Sequence, residues 1–256
     1  MMKILAVVPL LLSFSANAFC VAHRGYSAKA LENSREAIML AAEAGVGGIE
    51  FDIRRTRDGV AIVNHDANLE RVVAKAQKSC ARKEDITKLN LANIRDNCKL
   101  KNGESVSTLE EILRDLLPYS SRLFIEFKDS PSKSDMELIE RYYSDQAERV
   151  YFISFSKEYL DLINSWKKDF AYLEKTKIFL LRKRVDLDLL NGIDGFDSKY
   201  MSQATVDNVQ AHGMEIGAYT KDSRRKIKRY FDRGVDFVTT NRPTLCMQVL
   251  SDMGRR

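Results

Sequence analysis

Histidine is scarce in this chain, with only His23, His65 and His212 among 256 residues. An enzyme that moves protons with imidazole therefore has its candidates almost enumerated. Glycine and proline are also few, at 12 and 4, which excludes collagen-like and linker-rich designs. Four cysteines are too few for a disulfide scaffold, and no C-x-x-C spacing points to a zinc site or a redox pair. After the N-terminus no segment approaches the length of a membrane-spanning apolar run. What is present is ordinary for a globular protein. Apolar residues make up 45%, charged ones 30%, and the formal net charge is +5, which excludes a disordered chain.

The N-terminus reads MMKILAVVPLLLSFSANA, joining Lys3, an apolar run from Ile4 to about Leu12 and the small ending Ala16-Asn17-Ala18. These three parts in order describe a secretory signal peptide. Cleavage is expected after Ala18, leaving residues 19–256 exported to a periplasm or the cell exterior, without stable membrane insertion. Export exposes Cys20, Cys80, Cys98 and Cys246 to oxidant. Of the three pairings open to them, Cys80–Cys98 closes a short polar loop and Cys20–Cys246 ties the chain ends, and this one is preferred.

Short β-rich runs alternate with amphipathic stretches from Cys20–His23 and Ser34–Ala44 onward. The last pair is Val235–Thr239 and Pro243–Met253. Eight strands and eight helices are expected, the fifth helix at Val185–Leu190. Gly45, Gly213 and Gly234 each follow an amphipathic run, where a left-handed C-cap favours glycine. Such alternation predicts an α/β chain folded as one (β/α)8 TIM barrel. An open doubly wound sheet is weakened by the lack of a G-x-G-x-x-G turn after the first strand. Asp58-Gly59 predicts a hairpin that returns His65 to Glu50 and Asp52. Residues 67–106 then form a small polar, Lys-rich insertion after strand 2.

In such a barrel the chemistry collects at the C-terminal ends of the strands. Here those ends carry His23-Arg24-Gly25, Glu50-Phe51-Asp52 with His65-Asp66, and Glu126-Phe127-Lys128. Glu50 and Asp52 are two apart on a strand, so both point to one side. That side must be the interior for them to meet Glu126, while Ile49, Phe51 and Ile53 face the helices. Three inward carboxylates repel one another unless a cation lies between them, and oxygen ligands suit one divalent ion, Ca²⁺ or Mg²⁺. Arg24 and Lys128 neutralise the rest or bind an anionic substrate. Two imidazoles beside a dication suit hydrolysis of a phosphate ester, one as base and one as acid. His212 lies at a helix end and reads as a capping side chain.

The segments AHRG at 22–25, ENS at 32–34, GGIEFDIRRTRDGVAIVNHD at 47–66, STLEEIL at 107–113, FIEFK at 124–128 and GVDFVTTNRP at 234–243 resemble the glycerophosphodiester phosphodiesterase family. The resemblance implies a metal-dependent phosphodiesterase that frees an alcohol from a small-molecule glycerophosphodiester and leaves sn-glycerol 3-phosphate. It implies His23 and His65 as the acid/base pair and Glu50, Asp52 and Glu126 as metal ligands. Arg24 and Lys128 become phosphate contacts, and Glu32 and Asn33 border the same cleft. Asn33 with Glu36 also reads as a capping box for the first helix. Leu31, the run after Asp66 and Tyr219 depart from the family pattern, where Pro, a Gly-rich stretch and Trp are usual. The alternatives are a related lipid phosphodiesterase (lysophospholipase D- or sphingomyelinase D-like) and a non-catalytic phosphodiester-binding barrel. A lipid enzyme should show exposed apolar loops near the site, and the polar 67–106 segment favours a water-soluble substrate. The basic run Ser223–Arg229, with Ile227, Tyr230 and Phe231, reads as the solvated face of a barrel helix and not as a nucleic-acid site.

Overall fold

In the computed structural model, which describes residues 18–75, 77 and 79–255, eight parallel strands close into a barrel. They are β1 (Phe19–Ala22), β2 (Gly48–Arg55), β4 (Arg122–Phe127), β5 (Val150–Ser154), β6 (Lys177–Arg184), β7 (Gly195–Tyr200), β8 (Glu215–Ala218) and β9 (Phe237–Thr240). Each pairs with the next, and β1 pairs with both β9 and β2, which closes the ring. The ninth strand, β3 (Ala61–Val63), runs antiparallel on the end of β2, as Asp58-Gly59 predicts. The proposed leader, apart from Ala18, lies outside the described residues.

Seven helices cover the barrel: α1 (Arg35–Glu43), α3 (Leu109–Leu116), α4 (Lys133–Tyr143), α5 (Lys157–Ser165), α6 (Gln203–Ala211), α7 (Arg224–Asp232) and α8 (Pro243–Asp252). The expected helix at Val185–Leu190 is instead a 3-10 turn, Leu187–Leu189. Its stretch is short, and Asp186 turns its carboxylate onto the Asp188 amide, a local bond that competes with helix propagation. β6 extends to Arg184 in compensation. An unexpected helix, α2 (Leu91–Asn97), lies in the segment between β3 and α3. There Leu69, Val73, Ile86, Ile94 and Leu100 form a small core of their own, stapled by Cys80–Cys98. The other disulfide, Cys20–Cys246, joins β1 to α8, so the preferred pairing is the one found.

Side chains alternate along each strand. Outward, Ile49, Phe51 and Ile53 pack with Ile38 and Ala41 of α1 and Ile112, Leu113 and Leu116 of α3. Inward, Phe19, Phe124, Tyr151, Phe179 and Phe237 fill the N-terminal end of the barrel, with neighbouring ring centroids 4.5–6.5 Å apart. Glycine on β8 makes room for them, because a Cβ at Gly217 would come within 2.1 Å of the Phe237 ring. This aromatic plug closes one end, leaving the other for polar groups. On α7, Ile227, Tyr230 and Phe231 are buried, and Arg224 and Lys228 pair with Asp252 and Asp232 on the outer face.

Candidate active site

Register delivers the acidic groups. Asp52 stands opposite Glu126 on the neighbouring strand, with Glu50 one pleat below Asp52. Val21 and Ala22 lie opposite Gly48 and Ile49, so His23 emerges at the level of Glu50. The three carboxylates are buried, and one oxygen from each lies within 4.8 Å of the others.

The turn after β1 is bent to serve this cluster. Arg24 and Gly25 both have positive φ, 54° and 74°. The bend aims the Arg24 amide at Glu50 Oε2, 2.7 Å away, and the Gly25 amide at the Glu50 carbonyl. Gly25 also packs against α1, where a Cβ would come 2.5 Å from the Ala37 carbonyl carbon. A non-glycine residue at positive φ is strained and persists only when its surroundings hold it. Here a buried carboxylate does so.

Asn33 is the second such residue, with φ 58°. It does not cap α1. Ser34 does, its hydroxyl accepting from the Ala37 amide, while Glu36 turns outward to Asn102. Asn33 is folded inward. Its Nδ2 donates to Asp52 Oδ2 at 2.7 Å, and its Oδ1 accepts from the Asp52 amide at 3.2 Å. The expected capping box is therefore replaced by a clamp on Asp52, since a buried carboxylate needs donors more than a helix end needs one particular cap.

Two cations balance the trio. Lys128 Nζ contacts Glu126 and lies 3.1 Å from Asp52 Oδ1, and Arg24 Nε lies 3.3 Å from Asp52 Oδ2. Burial raises the Asp52 carboxyl, but Lys128 and then Arg24 outweigh it and hold it below the usual carboxylate range. Burial, with Asp52 beside it, pushes Glu126 up to about 8, and burial with both neighbours raises Glu50 well above its ordinary value. Glu50 Oε1 is buried without a hydrogen-bond partner. Such a group is costly. A hard divalent cation among these oxygens relieves both the unpaired oxygen and the mutual repulsion, so the donor set fits Ca²⁺ or Mg²⁺.

The histidines stand on either side. His23 Nδ1 lies 2.8 Å from Asn241 Oδ1, just past β9. Asn241 Nδ2 donates to Asp222, which turns the amide oxygen to the imidazole. That oxygen only accepts, so His23 carries its proton on Nδ1 and leaves Nε2 with a free lone pair. His65, returned by the β2–β3 hairpin, lies with Nδ1 2.7 Å from Asp66 Oδ1. Burial lowers both imidazoles; Arg24 adds to this at His23, while Asp52 and Asp66 oppose it at His65. Glu32 joins Arg24 to Arg71, which also holds Asp66, so Glu32 braces the cleft rim. His212 is remote, its Nδ1 bonded to the Asn208 carbonyl at the end of α6.

A cavity of about 210 Å³ joins His23, Arg24, Glu50, His65, Glu126 and Lys128. Its opposite wall is Ile153, Phe155, Leu181 and Tyr219, with Asp197 and Thr239. Phe155 and Tyr219 meet edge to face at 5.9 Å. Asp197, Asn241 and Asp222 are absent from the sequence-derived candidates. Asp197 is buried with one oxygen on Thr239 and the other unpartnered, and burial pushes its carboxyl up to about 7. Its available signal was an acidic residue two positions after Gly195, on the inward parity of β7.

The model of the glycerophosphoryl diester phosphodiesterase family matches residues 23–245. The chain is 27% identical over 253 residues to the glycerophosphodiester phosphodiesterase of Bacillus subtilis, covering 90% of this chain and 85% of that one. Glycerophosphodiester phosphodiesterase 1 of Bos taurus is 32% identical over 143 residues, 54% of this chain and 39% of the bovine one. The match thus spans about two fifths of that mammalian relative's length. A glycerophosphodiester phosphodiesterase structure from Parabacteroides distasonis aligns with TM-score 0.76 and 25% identity over 93% of this chain and 98% of that one. A phosphodiesterase from Oleispira antarctica, solved with the product sn-glycerol-3-phosphate, aligns with TM-score 0.75 and 21% identity over 91% and 96%. With the matched region running from His23 into the last barrel helix, the chain belongs to the glycerophosphoryl diester phosphodiesterase family.

Proposed function

We propose that this protein hydrolyses glycerophosphodiesters to an alcohol and sn-glycerol 3-phosphate, using one divalent cation, Ca²⁺ or Mg²⁺, and two histidines. The observation that carries the reading is the buried trio Glu50, Asp52 and Glu126, of which Glu50 and Glu126 line one small cavity with both imidazoles. Fully ionised around a bound cation, three carboxylates against Arg24 and Lys128 leave one negative charge. A dication converts this to one positive charge, the complement of a monoanionic phosphodiester.

Glu50, Asp52 and Glu126 are the ligands, and a cation there supplies positive charge to the phosphoryl oxygens. Arg24 and Lys128 bind and orient the same phosphoryl group. His23, neutral with a free Nε2, takes a proton from the attacking water as the water oxygen bonds to phosphorus. The bond from phosphorus to the departing alcohol breaks, and His65, acting in its protonated fraction with the ring oriented by Asp66, donates its proton to that alkoxide. Asn33 positions Asp52, and Glu32 positions Arg24. Residues 1–18 act as an export signal, which suits the two disulfides, and residues 67–106 form an insertion of the barrel that supplies Arg71.

The test is release of glycerol 3-phosphate from a panel of glycerophosphodiesters, with chelation and add-back of Ca²⁺ or Mg²⁺. Activity should vanish on chelation and return with one of the two ions. Unchanged turnover by His23→Ala would refute the mechanism.

A further inference from the structure

Among the described residues, the exposed large apolar side chains are Phe155, Leu187 and Tyr200. All three lie on the catalytic end of the barrel. Phe155 follows β5, Leu187 is in the turn after β6, and Tyr200 ends β7. The polar segment 67–106 borders the other side of the cleft. Across the cleft, apolar groups stand among cations.

The extension of β6 builds this patch. Arg184 lies opposite Tyr200 in the sheet, and Arg182 donates to the Phe155 carbonyl, tying the β5 and β6 ends together. An open groove of about 580 Å³ runs between Phe155, Arg182, Lys183, Arg184 and Tyr200. Phe155 also lines the catalytic cavity, so the groove adjoins it at this ring. Lys183, Arg184 and Lys199 are exposed, and none pairs with a carboxylate among the described residues. Asp186 and Asp188 in the following turn offset part of this charge, leaving a positive excess. Exposed apolar side chains grouped in one patch mark a contact surface. Cations whose stems flank aromatic rings match the boundary of an anionic bilayer, where rings enter the headgroup layer and charges meet lipid phosphates.

We propose that the rim formed by Phe155, Lys183, Arg184, Leu187, Lys199 and Tyr200 docks this protein peripherally on an anionic lipid surface, with the catalytic cleft facing the lipid. Charge complementarity selects this occupant over an apolar protein partner, and the groove's adjacency to the cleft at Phe155 gives docking a use. The proposal stands apart from the hydrolytic reading, because lipid binding needs no turnover.

The experiment is sedimentation of the full chain with vesicles of phosphatidylcholine alone or with added phosphatidylglycerol. Binding to the anionic vesicles only, weakening several-fold as salt rises, is expected. Each surface cation contributes about 1 kcal/mol to such binding, so Lys183→Glu/Arg184→Glu should weaken it at least about tenfold. Leu187→Ser/Tyr200→Ser should remove the part that survives salt. Both variants should retain the wild-type hydrolysis rate on soluble glycerophosphocholine, which also reports that they fold. No binding by the wild type overturns the proposal. So does equal loss from Arg225→Glu/Arg229→Glu on α7, which would show diffuse attraction. Full competition by single-stranded RNA, with Leu187→Ser/Tyr200→Ser inert, would show a polyanion site and overturn it as well.

Discussion

The two halves of the barrel do different things. From β1 to β4 the inward strand ends carry Arg24, Glu50, Asp52, His65, Glu126 and Lys128, every one of them ionisable. From β5 to β9 the same layer carries Ile153, Leu181, Tyr219 and Thr239, with Asp197 as its one cavity-lining carboxyl. The first half assembles charge for chemistry, and the second builds a wall against which a substrate is shaped. Yet the first half is incomplete alone. Asn241 and Asp222 from the second half orient His23, and only closure of β9 on β1 brings them there. Reaction and recognition are therefore separable by mutation, but assembly is not.

The largest effects should come from the first half. His23→Ala and His65→Ala should each lower kcat about 10²–10⁴-fold, while Glu126→Gln should act through lost cation affinity, seen by calorimetric titration of Ca²⁺ or Mg²⁺. Because His23 sits below its ordinary pKa through burial and Arg24, the acid limb of kcat/KM assigned to it should lie below pH 6.5. Activity falls there as Nε2 gains a proton. The Asn241 amide oxygen, which accepts from Nδ1, opposes that lowering, so Asn241→Ala should move the acid limb to still lower pH while kcat drops. A drop of about tenfold to a hundredfold is expected for such an orienting partner. An Asn241→Ala enzyme with wild-type kcat would detach the halves and break the comparison.

How far the sequence revealed this differs between the halves for a physical reason. Alternation, the Asp58-Gly59 turn and inward parity are local signals, and they placed Glu50, Asp52, His65 and Glu126 together. The C-capping glycines at 45, 213 and 234 likewise adopt positive φ as their context predicts. Asn33 is open in the sequence to two readings, cleft residue and cap, because Ser34 and Asn33 are both good caps, and only burial of Asp52 decides between them. Val185–Leu190 was misread as helix because six residues cannot distinguish an apolar helical face from a turn capped by Asp186. The Asp222–Asn241–His23 chain is a contact across more than two hundred residues, which no local pattern encodes. Phe155 and Tyr200 look like ordinary strand residues until the ends of β5 and β7 are seen to be uncovered.

The disulfides test closure and insertion separately. Cys20–Cys246 spans 226 residues and Cys80–Cys98 spans 18. On chain-entropy grounds the first contributes about 5 kcal/mol and the second about 3 kcal/mol. Cys20→Ser/Cys246→Ser should therefore lower Tm more, by thermal scanning. Cys80→Ser/Cys98→Ser should raise KM more, because it loosens the segment whose Arg71 braces Glu32 and Asp66. The reverse ranking would mean that the insertion, and not barrel closure, limits stability.

The smallest effect on turnover should come from Asp197, and it probes the second half most finely. Its unpartnered oxygen in the cavity wall suits a hydroxyl of the substrate, so Asp197→Asn should lower kcat/KM for a glycerophosphodiester only several-fold. It should leave bis(p-nitrophenyl) phosphate, which has no hydroxyl, unaffected. Stability supplies an independent reading of the same group. Burial raises the folded carboxyl to about 7 from an ordinary 3.8, so the folded state holds a proton that the unfolded chain has released between these values. That contribution is complete below pH 3.8 and disappears as pH rises through 7. Asparagine keeps an acceptor for Thr239 and does not titrate. The variant should gain on the wild type between pH 5 and pH 8, by on the order of 2–4 kcal/mol, read from Tm across that range. A constant difference would mean that Asp197 is already ionised in the folded barrel, paired with something the wall does not otherwise supply.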